Sequence, residues 1–304
     1  MMIETECCIC GKKPYEVLWE STFDPEEVDE TLFSARRAPD RVHYRMVKCV
    51  GCGLVYSNPI LEPERIEELY SGSAQNYDDL VENISSTYIR YLERASGHLE
   101  RRENLLEVGC GSGFFMKASL DLGFKNAYGV EPSREAVSKA PPDIRENITV
   151  DVLREGQFRR GFFDIICFFQ VLDHVLDPND FLSACREYLR EEGIVLCITH
   201  DTRALSARLL GRSSPIVDIE HIYLFDRENI RRLFEKNGYE VLDVFPVKNT
   251  YSMSYWARLT PIPTKIKEPV MKLLEASGIG KANVSLCAGN LGIIAKKSSF
   301  KQHP

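Results

Sequence analysis

Leu105-Leu106-Glu107-Val108-Gly109-Cys110-Gly111-Ser112-Gly113-Phe114 is the stretch that decides the fold: a short apolar strand runs into a tight glycine turn and out into a helix expected over residues 114–122. Glycine has no Cβ and tolerates positive φ, so Gly109, Gly111 and Gly113 let the backbone turn sharply and lie against a flat ligand. The Gly-x-Gly-x-Gly spacing departs from the Gly-x-Gly-x-x-Gly of dinucleotide sites. Glu107 also stands where a nicotinamide site carries an apolar residue. A second acid, Glu131, closes the short strand Ala127-Tyr128-Gly129-Val130 about twenty residues on, where a carboxylate can accept both hydroxyls of a ribose.

Downstream, short apolar strands alternate with helices, the pattern of an α/β protein with a parallel sheet covered on both faces. Strands are expected at 104–108, 127–130, 148–150, 162–169 and 194–198, the fourth being the most apolar, as suits a central strand. Asp177 caps a helix with Pro178 in its first turn, Phe181, Leu182, Cys185 and Leu189 on one face, and Glu191-Glu192-Gly193 as its stop. Asp226 caps another, carrying Ile230, Leu233 and Phe234 and stopped at Gly238, before a strand at 239–244. Upstream, Ile84, Tyr88, Tyr91, Leu92, Ala95 and Leu99 recur at steps of three and four, so 77–99 reads as a helix whose apolar face packs on the main domain and helps roof its cleft.

The glycine turn, Glu107, Glu131 and the later strands together resemble the nucleoside-binding region of class I S-adenosylmethionine-dependent methyltransferases. The resemblance implies a Rossmann-like seven-stranded sheet whose last strand, 290–296, runs antiparallel between strands five and six. It implies S-adenosylmethionine as cofactor and S-adenosylhomocysteine as product, with Gly109, Cys110, Gly111 and Gly113 at the methionine end and Glu131 at the ribose. Glu107, Pro132, Val152 and Gln170 complete the cofactor set. Asp151, after the third strand, is by the same resemblance a contact to the adenine amino group; it reads equally as a turn acid at a strand end. The run Gln170-Val171-Leu172-Asp173-His174-Val175-Leu176-Asp177-Pro178 resembles the segment after strand four in these enzymes, where an acid–histidine pair often occurs. Asp173 stands where glutamate is commoner.

Near the N-terminus, Cys7, Cys10, Cys49 and Cys52 form two C-x-x-C knuckles, each followed by glycine. Four thiolates at tetrahedral distances suit Zn²⁺, and a closed shell of sulfur leaves no position for chemistry, so the expected ion is structural. Cys8 is one residue short of the spacing and is the alternative to Cys7; His43 reads as a surface residue. The 38 residues between the knuckles form a hairpin or excursion, with Tyr44, Met46 and Val47 leading back, and Leu54 to Ser57 is a short strand stopped by Asn58-Pro59. Residues 49–59, with Glu67-Glu68-Leu69-Tyr70, resemble the zinc-binding N-terminal module of a methyltransferase group that includes sugar C-methyltransferases.

The chain has 304 residues, 44% hydrophobic and 27% charged, enough to bury a sizeable core. The opening Met1-Met2-Ile3-Glu4-Thr5-Glu6 lacks a basic region followed by an apolar run, and no stretch approaches eighteen uninterrupted apolar residues, so a cytoplasmic location is expected. Ten cysteines in a reducing compartment fit metal binding better than disulfides. A net charge of −7 argues against a phosphate backbone as main partner. Arg36, Arg37, Arg41, Arg45 and Lys48 sit beside Asp24, Glu26, Glu27, Asp29 and Glu30 and read as a mixed-charge surface. The expected layout is a zinc ribbon at 1–60, a helical linker and roof at 61–100, the methyltransferase domain at 101–247 with 289–298, and an insertion at 248–288. That insertion, with Tyr251, Met253, Tyr255, Trp256 and a Pro-x-Pro break at 261–263, is a substrate lid or homodimer contact, or else a packed helix covering a sheet edge.

An activated methyl group chiefly needs in-line alignment and exclusion of water. A hydroxyl or carbon-acid acceptor also needs a base, for which neutral imidazole is suited near pH 7. His174, His200 and His221 fall at strand ends or loops bordering one cleft, with His174 the first candidate and His221 the second. Each also has a plain alternative in capping a helix, bonding a loop or fixing the segment before a helix. The leading reading is a methyltransferase for a small-molecule acceptor: a sugar, nucleotide sugar or secondary metabolite. Its competitors are an RNA methyltransferase gripping RNA with the ribbon, which the acidic charge opposes, and a noncatalytic cofactor-binding interaction protein.

Overall fold

The structure, a computed structural model, describes residues 2–28, 41–71, 80–260 and 264–298. Asp29, Glu30, Arg36 and Arg37 of the charged stretch, the first residues of the helix expected at 77–99, and the Pro-x-Pro break lie outside these.

The N-terminal unit contains β1 (Met2–Ile3), β2 (Tyr15–Trp19), β3 (Met46–Cys49), β4 (Val55–Ser57) and β5 (Ile60–Leu61). Two helices, α1 (Pro63–Ser71) and α2 (Val81–Ser96), lead to the main domain. There β6 (Asn104–Val108), α3 (Phe114–Asp121), β7 (Asn126–Val130), α4 (Arg134–Ser138), α5 (Pro142–Arg145), β8 (Ile148–Thr149) and β9 (Phe163–Phe169) come first. They are followed by α6 (Pro178–Tyr188), β10 (Leu189–His200), α7 (Leu205–Leu210), β11 (Tyr223–Leu224), α8 (Arg227–Lys236), β12 (Tyr239–Ser252), α9 (Met253–Leu259), α10 (Thr264–Ser277) and β13 (Asn283–Lys297).

The main sheet has seven strands in the order β12-β13-β10-β9-β6-β7-β8. Neighbours from β10 to β8 are parallel, and β13 runs antiparallel between β10 and β12, as expected. Successive residues of the central strands feed opposite cores. Leu105, Ile165 and Cys167 pack with Tyr91, Leu92, Phe115 and Met116 of α2 and α3, whereas Leu106, Ile166 and Phe168 pack with Leu182, Cys185, Leu233 and Phe234 of α6 and α8. Strands buried on both faces carry continuous apolar runs for this reason. Helix starts follow their caps: Ser133 accepts from Ala136 N–H, Asp177 from Asn179 and Asp180, and Asp226 from Glu228 and Asn229, each such cap contributing about 1 kcal/mol.

The N-terminal unit is stitched into this domain. A second sheet has the order β11-β4-β3-β2, so one of its four strands comes from the far side of the chain. Tyr44, Val47, Leu54 and Tyr56 share a core with α6 and α8. His43, expected at the surface, is buried: its Nδ1 donates to Tyr44 O at 2.7 Å and its N–H to Thr22 Oγ1 at 2.9 Å, fixing the chain as it re-enters β3.

Three boundaries differ from expectation. The helix after Asp177 ends at Tyr188 rather than at Glu191-Glu192-Gly193, because Leu189 already pairs with Phe163, and a bulge separates that pair from Ile194. β12 runs on to Ser252 and β13 begins at Asn283, so the two ends of the interval expected as an insertion are strands of a long antiparallel arm. Residues 253–282, the larger part of the interval, lie between those strands, with α9 and α10 packed on each other. No described helix is long and apolar enough to cross a membrane.

Candidate active site

At the carboxyl end of β6 the chain turns through Gly109, Gly111 and Gly113, with φ of +73°, +54° and +71°. Gly109 has no room for a side chain: an added Cβ would lie 2.5 Å from Val171 Cγ2. Gly109 N–H donates to Val130 O at 2.8 Å, tying the turn to the end of β7. Glu131 accepts Gly111 N–H at 2.8 Å and Ser133 N–H at 2.9 Å, one on each carboxylate oxygen. A carboxylate has about four lone-pair sites, so two remain for other donors.

Two polar atoms here are buried without a hydrogen-bond partner, Glu107 Oε2 and Gln170 Oε1. Gln170 also has φ of +56°, a backbone conformation that side chains rarely adopt and that concentrates at functional sites. Burial raises the Glu107 carboxyl well above its usual range, with Glu131 adding like-charge repulsion; burial also raises Glu131. A ligand bringing donors or positive charge to this crevice removes both penalties, which fits the amino-acid end of S-adenosylmethionine. Cys110 turns its side chain into the core beside Gly129, leaving its backbone for the crevice. Pro132 is half-buried, next to Glu131. Asp151 is engaged locally, accepting Val152 N–H at 2.8 Å and Gln157 Nε2–H at 3.2 Å, as a strand-end turn acid does.

Val171, whose side chain lies against Gly109, is followed two residues on by Asp173, which is fully buried. His200 Nδ1 lies 2.6 Å from Asp173 Oδ2, His174 Nε2 3.7 Å from Asp173 Oδ1, and His221 Nε2 3.8 Å from Asp173 Oδ2. The His221 ring centroid is 4.7 Å from that of His174 and 4.5 Å from that of His200. The structure thus brings together the three histidines read from the sequence, around an acid the sequence showed only as the neighbour of His174. Burial alone would raise Asp173, yet His174, His200 and His221 hold it well below the usual carboxylate range. Burial lowers His174 to about 4. His221 rises to about 9 against its burial, through Asp218 and Asp173.

The loop carrying His221 is held from several sides. Asp218 Oδ1 accepts the N–H groups of Glu220 and His221 and lies 2.7 Å from His221 Nδ1, an ion-pair contact out of hydrogen-bond line. Ile222 N–H donates to Asp173 O, Ser57 N–H to Ile222 O, and Ser57 Oγ–H to His221 O at 3.0 Å. Asp218 and Ser57 were missed in the sequence; the Asp-x-x-His spacing was the available signal for the first, and nothing local marks the second.

The knuckle cysteines also meet. The sulfurs of Cys7, Cys10, Cys49 and Cys52 all lie within 4.8 Å of one another, with Cys7 and Cys52 3.5 Å apart. A tetrahedron of sulfurs about 2.3 Å from a zinc ion has edges of roughly 3.8 Å, so the donor set fits. Cys8 lies outside this cluster, buried, with its O accepting from Lys236 and Asn179.

A seven-stranded sheet of this order, with a glycine turn and two acids at the ends of its first two strands, defines a class I S-adenosylmethionine-dependent methyltransferase. A methyltransferase-domain family model matches residues 80–244, and the chain belongs to that family. It is similar to the ubiquinone biosynthesis O-methyltransferase of Rhodopseudomonas palustris, 32% identical over 122 residues, covering 38% of this chain and 48% of that one. The Caulobacter vibrioides enzyme of the same name is 29% identical over 117 residues, covering 36% and 44%. The chain thus spans less than half the length of these relatives. Among solved structures, a chain from the complex of the Haloferax volcanii Trm112 methyltransferase activator with a methyltransferase superposes with a TM-score of 0.52 at 15% identity, covering 75% of this chain and 98% of that one, a likeness of fold.

Proposed function

We propose that this methyltransferase acts on a small-molecule acceptor, methylating an oxygen or an acidic carbon held where Asp173 meets His174, His200 and His221. The observation that carries the reading is that cluster: a buried carboxylate ringed by imidazoles, two residues past the Val171 side chain that touches the glycine turn. S-adenosylmethionine, when bound, supplies a methyl on a sulfonium already activated toward a nucleophile. Glu131 and the turn residues would hold its ribose and amino-acid ends, and its donors would satisfy Glu107 Oε2 and Gln170 Oε1. His200 donates Nδ1–H to Asp173, which fixes its ring orientation. His174, about a fifth exposed and outside that hydrogen bond, receives the acceptor's proton. The names of the curated relatives, both O-methyltransferases, favour oxygen as the methylated atom. The four clustered cysteines hold a structural Zn²⁺ that shapes the unit on which the His221 loop rests.

The test is S-adenosylhomocysteine release from S-adenosylmethionine across a panel of phenols, sugars, nucleotide sugars and RNA. Turnover on a small molecule, abolished in His174→Ala with cofactor affinity retained, supports the reading. Turnover on RNA alone overturns it, and undiminished turnover in His174→Ala removes that residue from proton transfer.

A further inference from the structure

The Asp173 cluster is richer than proton transfer requires. One ligand atom from each of Asp173, His200 and His221 can be chosen so that all lie within 4.8 Å of one another. Asp173 Oδ2 is the common point, 2.6 Å from His200 Nδ1 and 3.8 Å from His221 Nε2. Asp173 Oδ1 is buried and accepts no hydrogen bond. We infer that Asp173, His200 and His221 form a binding site for a divalent first-row transition cation, separate from the four-cysteine cluster. Two imidazoles and a carboxylate are the donors that suit Zn²⁺, Fe²⁺ or Mn²⁺. With metal–nitrogen distances of about 2.0–2.1 Å, ligand atoms in a tetrahedral shell stand roughly 3.3 Å apart, inside the observed spread and reachable by small side-chain rotations.

The surroundings match. Ligating histidines commonly turn their other nitrogen to a carboxylate that orients the ring; His221 Nδ1 faces Asp218 at 2.7 Å, and Asp218 is itself fixed by two backbone N–H groups. Three protein ligands leave a coordination position open, and His200, about a fifth exposed, brings the site to solvent. Binding would release to solvent the protons on His200 Nδ1 and His221 Nε2, as metal ligation by histidine does. The site lies in the acceptor region proposed above and rests on that reading only for the identity of the open ligand, an acceptor oxygen. The site itself can be detected without turnover.

The experiment adds Co²⁺ to the full-length protein after its cysteine site has been loaded with zinc. Wild type is expected to bind one further equivalent with weak visible d–d bands and no new thiolate-to-cobalt charge-transfer band. His200→Ala and His221→Ala should each bind at least tenfold more weakly, with cysteine-bound zinc unchanged and cooperative unfolding retained. Because Asp173 is buried, the partly exposed His200 is the primary variant. Equal cobalt uptake in wild type and His200→Ala, or a thiolate band, overturns the site. Cobalt binding without small-molecule turnover sinks the acceptor reading and leaves the metal site; turnover without cobalt binding does the reverse.

Discussion

Glu131→Gln separates cofactor binding from the upkeep of the glycine turn. Alanine here would strip acceptors from two buried N–H groups, those of Gly111 and Ser133. At about 1–3 kcal/mol each that is roughly 2–6 kcal/mol, a large share of a typical stability of about 5–15 kcal/mol, and any lost binding would be confounded by a disordered turn. Glutamine keeps the volume and one acceptor oxygen, so the structural cost falls to about 1–3 kcal/mol. It also converts half of the ribose-binding acceptor into a donor. Losing one charge-assisted hydrogen bond costs about 1.5–3 kcal/mol, a rise of roughly 13- to 160-fold in Kd. Calorimetry with S-adenosylhomocysteine reads this without the sulfonium charge. An unchanged Kd in a variant that unfolds cooperatively would refute the ribose assignment.

Gly109→Ala forces a Cβ to 2.5 Å from Val171 at a φ of +73°; the left-handed penalty of about 1–2 kcal/mol plus about 1–3 kcal/mol of overpacking should lower stability in urea by roughly 2–5 kcal/mol. Glu107→Gln should stabilise the cofactor-free protein at neutral pH: the raised carboxyl favours its neutral form when folded, so wild type loses stability as pH rises through the folded pKa. The advantage of glutamine should therefore widen as pH rises above the usual carboxylate range, and denaturation midpoints showing a constant gap would contradict it. Loading the four-cysteine site with zinc should raise Tm and chelation should lower it again, since structural zinc binding is folding free energy; equal Tm with and without zinc would contradict it. Ser57→Ala, which removes the bond to His221 O, should reduce kcat while leaving cofactor Kd within about twofold; equal kcat would mean that the His221 loop holds its place alone.

Much of the fold was legible because its signals are local. The glycine turn, the caps at Asp177 and Asp226, and the two-sided burial of the central strands are all written within a few residues of where they act. Strand pairing at a distance was not. Tyr223–Leu224 is too short to show a period, and its partner β4 lies far upstream, so nothing marked it as a strand of the N-terminal sheet. The long β12–β13 arm was hidden because Asn249, Thr250, Ser252 and Ser285 read as loop residues, though each is paired across the arm or beside such a pair. Asp164 sits inside an apolar run, yet it is fully buried and accepts N–H bonds from Glu103, Asn104 and Arg101, partners visible only in three dimensions. The histidines could be grouped because each lies near a strand end. Their centre on Asp173 could not be seen, since His200 approaches it from the end of β10 and His221 from the loop before β11.

The borrowing of residues 223–224 by the N-terminal sheet has a consequence for biosynthesis. While the chain emerges from the ribosome, β4 has no neighbour on one side until those residues appear, on the order of ten to thirty seconds later at 5–20 residues per second. An open edge of that kind invites mispairing with other nascent chains. β2, β3 and β4 can pair among themselves as they emerge, but their sheet is completed only by residues translated well after them.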